Sequence, residues 1–218
     1  MTVEKARFNM IEQQIRPWNV LNLGVLELLT IVHREDFVPA ALRAQAFVDT
    51  ELPLGNGRRM LAPRVEARML QELKLTRQDR VLEIGAATGH LAALMAHQAE
   101  QVFAVEPDAG LADAAKANLR KAGVQNVRVL QQGGASGLAA EAPFDAIVLS
   151  GSVAEVPAGL LAQLRVGTGR LIAIVGDDPV MQAQLITRVG PDDYRSLTLF
   201  ETSAARLPGF AELPSFAF

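Results

Sequence analysis

Apolar residues recur in two different rhythms along the chain, and the rhythm changes near residue 79. Before that point they are spaced as on one face of a helix, which predicts helices over residues 4–16 and 21–33. Residues 36–47 read as an extended piece followed by a short helix. Pro63 suits the first turn of a further helix, and the restriction on a residue before proline predicts that the first helix ends at Arg16.

From residue 79 onward, short apolar runs alternate with helical segments. The runs predict buried strands at 79–85, 101–106, 127–130, 144–150 and 170–176, with helices at 91–98, 111–123 and 157–164 between them. This alternation predicts an α/β fold with a doubly wound, mostly parallel sheet. The last two runs, 181–189 and 194–201, flank the sequence GPDD and predict an antiparallel hairpin at one edge.

Composition excludes several classes of function. The chain has 218 residues, half of them apolar, and a net charge of −3, so no general basic field attracts nucleic acid or an anionic membrane. It has no cysteine, which excludes disulfides, thiolate metal sites and a cysteine nucleophile and fits a cytoplasmic protein. Three scattered histidines predict no metal site. Charges interrupt residues 1–30, so neither a secretory signal nor a membrane span is predicted.

The first predicted strand of the sheet ends in VLEIGAATGH, residues 81–90. A dinucleotide fingerprint counted from Gly85 needs glycine at Ala87 and His90, where both residues carry side chains, so a diphosphate is disfavoured. No Gly-Lys-Ser/Thr follows, which excludes a P-loop. A glycine-lined turn remains, preceded by the carboxylate of Glu83 and followed one strand-helix unit later by that of Glu106.

S-adenosylmethionine suits this arrangement because it carries no phosphate. Its ammonium group needs a carboxylate or carbonyl partner, for which Glu83 is the candidate. Glu106, at the end of the second strand, has the position from which an acidic residue accepts ribose hydroxyls in nucleotide sites. The alternatives are ordinary structural ones: Glu83 as a capping or solvated residue, and Glu106 as a partner of the following helix dipole.

The stretch EIGAATGH resembles the glycine-rich motif of class I S-adenosylmethionine-dependent methyltransferases, with Ala87 in place of the middle glycine. Over residues 8–200 the chain resembles the protein-L-isoaspartate O-methyltransferase family. The segments that carry the resemblance are MIEQQIRPW (10–18), REDFVP (34–39), ELPLGNG (51–57), DRVLEIG (79–85), NVRVLQQGG (126–134), APFDAIVLSGSVAEVP (142–157) and LRVGTGRLIAIVG (164–176).

The resemblance implies a Rossmann-like methyltransferase fold with a seven-stranded sheet, an antiparallel edge hairpin and an N-terminal helical extension. It divides the chain into the extension with its acceptor loop, residues 1–63, and a cofactor-binding domain, residues 64–218. It implies methyl transfer from S-adenosylmethionine, leaving S-adenosylhomocysteine, to isoaspartyl carboxylates of damaged proteins, a repair reaction of the cytoplasm. The expected acceptor loop comprises Gly55, Asn56, Gly57, Arg58, Arg59, Met60 and Leu61. The expected cofactor residues are Glu83, Gly85, Ala86, Ala87, Gly89, His90, Glu106, Pro107, Gly133, Gly134 and Ser150.

The chain departs from the family pattern at two places. The family loop reads G-x-G-Q-T-I-S-x-P, so Leu61 stands where a hydroxyl is expected near the acceptor, and no catalytic residue is assigned. Arg58 and Arg59 stand at the glutamine and threonine positions, where they either bind a carboxylate or remain solvated. Gly133 stands where the family has an aspartate near the adenine amino group.

Three hypotheses remain open from the sequence. The first is isoaspartyl methylation, the second is a methyltransferase with another acceptor such as a small carboxylic acid or a phenol, and the third is a cofactor-binding protein without turnover. A nucleic-acid methyltransferase is disfavoured because the chain is acidic and lacks an Asn-Pro-Pro-Tyr-type motif. The tail LPGFAELPSFAF is predicted to pack as a strand or arm, with partner binding as the alternative.

Overall fold

Residues 2–212 are described by the computed structural model, and a central sheet dominates them. The helices are α1 Val3–Asn9, α2 Leu23–Ile31, α3 Pro63–Leu73, α4 His90–Ala96, α5 Ala109–Lys121 and α6 Ala158–Leu161. The strands are β1 Leu52–Gly55, β2 Arg58–Met60, β3 Arg80–Ile84, β4 Gln101–Val105, β5 Val127–Leu130, β6 Ala146–Val153, β7 Arg170–Asp177, β8 Val180–Arg188 and β9 Tyr194–Glu201.

Seven strands form the main sheet in the order β5-β4-β3-β6-β7-β8-β9. The first five are parallel, while β8 and β9 are added antiparallel at one edge, which confirms the predicted architecture. Ile84 is level with Val105 of β4 and with Leu149 of β6, so β3 and β4 end together while β6 continues to Val153. The strand order reverses between β3 and β6, and such a switch point is where open α/β sheets bind ligands.

Alternating residues of the strands pack on two apolar layers, as the period of a buried strand requires. Val81 belongs to the layer shared with α3 and α4, and Leu82 belongs to the layer on the opposite face. Met10, Ile15 and Val25 of the N-terminal extension join the layer of Val81. The extension is therefore packed on one face of the sheet. Among residues 2–212, no helix has the length and apolar character needed to cross a membrane.

The first predicted helix differs from the structure at its end. α1 continues into a wider π-helical turn at Met10–Ile15 and then a 3-10 turn at Arg16–Trp18. Arg16 keeps helical dihedrals although proline follows, and the turn ends at Asn19 with a φ of 63°. The predicted boundary at Arg16 is therefore confirmed, since Arg16 caps the π-helical turn, but its reason is not, because Arg16 stays helical and a 3-10 turn follows.

Residues 52–60 also differ from the expected loop, since they form the antiparallel hairpin of β1 and β2. Its turn is built by Gly55, Asn56 and Gly57, all with positive φ. Pro63 then begins α3 at the predicted position. The C-terminal end of the tail, residues 213–218, lies outside the described residues.

Candidate active site

Three polar side chains lie near one another where β3 and β4 end, beside the middle of β6. Glu83 is the fourth residue of β3, Glu106 follows β4, and Ser150 lies in β6. The Ser150 hydroxyl donates a hydrogen bond of 2.8 Å to Glu83 Oε1. Glu83 Oε2 is buried and has no hydrogen-bond partner within the described residues. One carboxyl oxygen at the switch point is thus left free to bind a donor.

Burial raises the pKa of Glu83 to about 8, because the charged form is desolvated and faces the carboxylates of Glu66 and Glu106. The hydrogen bond from Ser150 opposes this shift without cancelling it. At neutral pH the free protein therefore holds Glu83 protonated.

We expect the substitution Glu83→Gln to stabilise the protein above pH 5. Between the unfolded pKa of 4.5 and the folded pKa of about 8, the folded state binds one more proton than the unfolded state, so stability falls as pH rises. A neutral glutamine removes this loss, a gain of up to about 3 kcal/mol at pH 7. Thermal unfolding from pH 4.5 to 8.5 measures it, with the two proteins converging at the acid end. If the melting temperatures of the two proteins differ by the same amount at every pH, Glu83 does not have a raised pKa.

The turn after β3 has the backbone of a glycine-rich loop although one position carries a side chain. Gly85 and Gly89 have φ values of 87° and 89°, and Ala87 has a φ of 50°. The Ala87 amide donates a hydrogen bond of 2.8 Å to Glu106 Oε2. This bond stabilises the left-handed conformation, which is energetically unfavourable for alanine. The substitution of the middle glycine has kept the turn.

Glu106 is fully buried and forms an ion pair with Arg58 of the hairpin. Arg58 donates to both carboxylate oxygens, from Nη2 at 2.6 Å and from Nε at 3.3 Å. The Asp108 amide donates a further bond of 3.1 Å. The sequence left two interpretations for Arg58 and Arg59, carboxylate binding or solvation. Arg58 binds a carboxylate, that of Glu106 in the same chain. Arg59, on the other face of β2, is exposed.

The hairpin lies across the strand ends. Arg59, Met60 and Leu61 line the same small cavity of about 10 Å³ as Glu83, Gly85, Ala86, Ala87, His90 and Ser150. The structure thus brings the predicted acceptor loop and most of the predicted cofactor residues together. The Leu61 side chain is 4% exposed and packs in the apolar layer beneath the cavity.

A buried polar cluster beneath the hairpin was not predicted from the sequence. Glu66 of α3 is ion-paired with Arg34 and hydrogen-bonded to His90 Nδ1 at 2.8 Å. Burial alone would raise the pKa of Glu66, but Arg34 and His90 together hold it below its usual value. Arg34 also donates to the Leu61 carbonyl at 2.6 Å. Because Arg34 and Glu66 are 32 residues apart, no local pattern indicates the pair.

The C-terminal segment crosses the end of β6. The Ser152 amide donates to the Ala205 carbonyl, and the Leu207 amide donates to the Ser152 carbonyl, each at 2.9 Å. The Leu207 side chain lies so close to Gly85 and Gly151 that a Cβ on either glycine would approach it to 2.5 and 2.8 Å. Leu207, the first residue of the predicted arm, therefore packs against two glycines, one just after β3 and one within β6, while the packing of residues 213–218 stays a prediction.

The remaining predicted residues lie at the margins of the cavity. Asn56 at the hairpin tip donates to Asp108 at 3.3 Å. Pro107 is half-buried and Gly133 is exposed, whereas Gly134 is pressed against Ile84. Gly133 offers no side chain to an adenine amino group. Among residues 2–212, no cluster of three or more histidine, cysteine or acidic side chains could hold a metal ion.

Comparison with known proteins agrees with this geometry. The model of the family Protein-L-isoaspartate(D-aspartate) O-methyltransferase matches residues 5–201. A protein-L-isoaspartate O-methyltransferase of Syntrophus aciditrophicus is 37% identical over 189 residues, which cover 87% of this chain and 86% of the relative. That of Methylorubrum populi is 38% identical over 193 residues, 88% of this chain and 90% of the relative.

A solved structure shares the fold at lower identity. It is a protein from Plasmodium falciparum described as a putative protein-L-isoaspartate O-methyltransferase in complex with S-adenosyl-L-homocysteine. Its TM-score to this chain is 0.79 at 19% identity, with 95% of this chain and 98% of the other covered.

Proposed function

Because this chain belongs to the protein-L-isoaspartate O-methyltransferase family, we propose that it transfers the methyl group of S-adenosylmethionine to isoaspartyl carboxylates of damaged proteins and peptides. One observation carries the proposal to this site: the hairpin residues Met60 and Leu61 line the same cavity as Glu83, Gly85 and Ser150. The segment expected to hold the acceptor therefore faces the turn expected to hold the methyl donor.

The side chains of the site fit the chemistry of this cofactor. Glu83 keeps a buried oxygen without a partner in the described part of the chain. This oxygen suits the cofactor's ammonium group once Glu83 gives up its proton, and the positive charge of that group favours the ionised form. Glu106 suits the ribose hydroxyls once Arg58 releases it. Gly85, with its positive φ, allows close approach of the backbone. Adenine is left to backbone and apolar contacts, since Gly133 has no side chain.

The bound cofactor supplies an electrophilic methyl group on a positively charged sulfur. The residues of the chain then have to orient a nucleophile and exclude water, because an acceptor carboxylate is already ionised at pH 7 and needs no base. The hairpin provides the cover. Arg34 fixes it by holding the Leu61 carbonyl at 2.6 Å. Arg59, exposed beside the cavity, is the candidate to bind the acceptor carboxylate.

The direct test supplies labelled S-adenosylmethionine with an isoaspartyl peptide and with its aspartyl twin. We expect label on the isoaspartyl peptide alone. Leu61→Ser, which places a hydroxyl at the family position, is expected to raise the rate by about one decade through one added hydrogen bond. It should also lower the melting temperature, because Leu61 loses buried contacts. Absence of transfer at millimolar peptide in a protein shown to bind the cofactor would overturn the proposal.

A second acceptor class is favoured by one observation. His90 lines the cavity, its Nδ1 faces Glu66, and its buried Nε2 has no hydrogen-bond partner in the described part of the chain. A histidine held in this way can remove a proton from a phenol, which a carboxylate acceptor would not require. Release of homocysteine with a panel of phenols and small carboxylic acids, compared with the isoaspartyl peptide, distinguishes the two classes.

A further inference from the structure

Arg58 occupies the part of the site that the proposed function gives to the ribose. Its side chain is 8% exposed and that of Glu106 is 0% exposed, so the pair is withdrawn from water. The guanidinium also lies against the glycine turn, since its Nη2 is 3.4 Å from the position of a Cβ on Gly85. One arginine therefore covers both the carboxylate and the glycine whose backbone a nucleoside would approach.

The cavity beside the glycine turn is too small for a nucleoside. The cavity holds about 10 Å³, which admits roughly one water molecule, whereas small-molecule sites typically measure about 300–1,000 Å³. The Leu207 side chain packs on Gly85 and Gly151 and so restricts the approach to the glycine turn from that side. A ligand of the size of S-adenosylmethionine cannot enter while Arg58 stays on Glu106.

We propose that Arg58 is an internal competitor of the cofactor, which binds only when the Arg58 side chain leaves Glu106 and the hairpin opens. This inference rests on the proposed function, and it makes Arg58 a determinant of cofactor affinity. The free protein is held in a closed state in which Arg58 is the ion-pair partner of Glu106. Apparent affinity is then lower than intrinsic affinity by the fraction of open protein.

The hairpin is built to allow this movement. β1 and β2 pair with each other in a separate two-stranded sheet and not with the main sheet. Their pairing shifts register between Pro53 and Gly55, and the tip at Gly55–Gly57 is exposed. The chain beyond the hairpin is anchored where Arg34 holds the Leu61 carbonyl. Met60 is buried in the apolar layer, so opening can be confined to residues 55–59.

Titration calorimetry with S-adenosylhomocysteine tests the inference without requiring turnover. We expect Arg58→Gln to bind the ligand at least 10-fold more tightly than the unmodified protein, and Arg58→Lys, which keeps the charge but loses the two-pronged contact, to lie between them. Arg165→Gln is the matched control. It removes an arginine that also contacts both oxygens of a carboxylate, Asp145, which precedes β6 at the opposite, amino-terminal end of the strands. It should change affinity less than twofold.

Because Arg58→Gln leaves Glu106 buried without its partner, folding is verified by circular dichroism, and a second measurement uses the unmodified protein. This is the NMR resonance of the Arg58 Nε–H, which is assigned by its absence from the spectrum of Arg58→Lys. It should lose its protection from exchange with solvent when S-adenosylhomocysteine is added. Equal or weaker binding by both Arg58 variants would overturn the inference while leaving the proposed function intact. Absence of binding by every one of these proteins would overturn the proposed function as well.

Discussion

Replacing Arg34 by methionine is expected to lower the free energy of unfolding by about 3–5 kcal/mol, the largest loss of stability from a single substitution that we expect in this protein. The Arg34 side chain is 2% exposed and its guanidinium is shared between Glu66 and the Leu61 carbonyl. Methionine fills similar space but leaves the Glu66 carboxylate buried with His90 as its partner. At about 2–4 °C per kcal/mol, the melting temperature should fall by roughly 10 °C.

The control for this experiment is Arg16→Met. Arg16 pairs with Glu12 one helical turn away, and its side chain is 50% exposed. Its replacement should therefore lower the free energy of unfolding by less than about 1 kcal/mol. The double variant Arg34→Met with Glu66→Gln should recover part of the loss, because the carboxylate is removed together with its partner. A melting temperature for Arg34→Met that matches that of Arg16→Met would show that the buried pair does not hold the hairpin to α3.

The sheet could be predicted from the sequence because its signals are local. Each parallel strand is a short apolar run between turn residues, and burial on both faces is what makes such a run apolar. The same reasoning placed Glu83 and Glu106 at neighbouring strand ends, where the structure has them. It missed β1 and β2 because strands of four and three residues around a glycine-rich turn carry too little pattern to distinguish them from a loop.

What the sequence could not show are the partners of the charged residues. Arg58 and Glu106 are 48 residues apart, and Arg34 and Glu66 are 32 apart. Such pairs depend on how the hairpin and the N-terminal extension fold back on the sheet, and no periodicity encodes that. Leu207 lies beyond the last strand, where loop composition indicates turns but not what they cover. The departures from the family motif at Arg58 and Leu61 were visible, but their meaning required the fold.

The two departures have different structural consequences. Leu61 has been taken into the apolar layer, so the hydroxyl position of the family has become part of the core. Arg58 lies in the proposed cofactor site, where it pairs with the Glu106 carboxylate, which is itself fully buried. The hairpin is therefore held at two points. Arg58 binds Glu106 at the end of β4, and just after β2 the Leu61 carbonyl accepts from Arg34, which is paired with Glu66 of α3. In the competition that we propose, cofactor binding breaks the contact of Arg58 with Glu106 and leaves the contact of Arg34 with Leu61 in place.

Glu106→Gln is expected to weaken binding of S-adenosylhomocysteine by about 10²–10⁴-fold, the opposite of the effect expected for Arg58→Gln. The carboxylate is the proposed acceptor for two ribose hydroxyls, and hydrogen bonds to a charged group contribute about 1.5–3 kcal/mol each. It also accepts from the amides of Ala87 and Asp108. A glutamine offers a single acceptor oxygen to these donors and turns an NH₂ group toward the others.

Opposite signs at the two ends of one ion pair separate competition from simple structural support. If Arg58 and Glu106 served only to hold the hairpin, removing either would loosen the same contact and shift affinity in the same direction. Calorimetry on both single variants and on the double variant measures this, with Glu155→Gln, an exposed residue in the loop after β6, as the control that should bind like the unmodified protein. The double variant should bind as weakly as Glu106→Gln, because no competitor can matter once the acceptor is gone. Tight binding by Glu106→Gln would place the ribose elsewhere and would remove the basis of the competition.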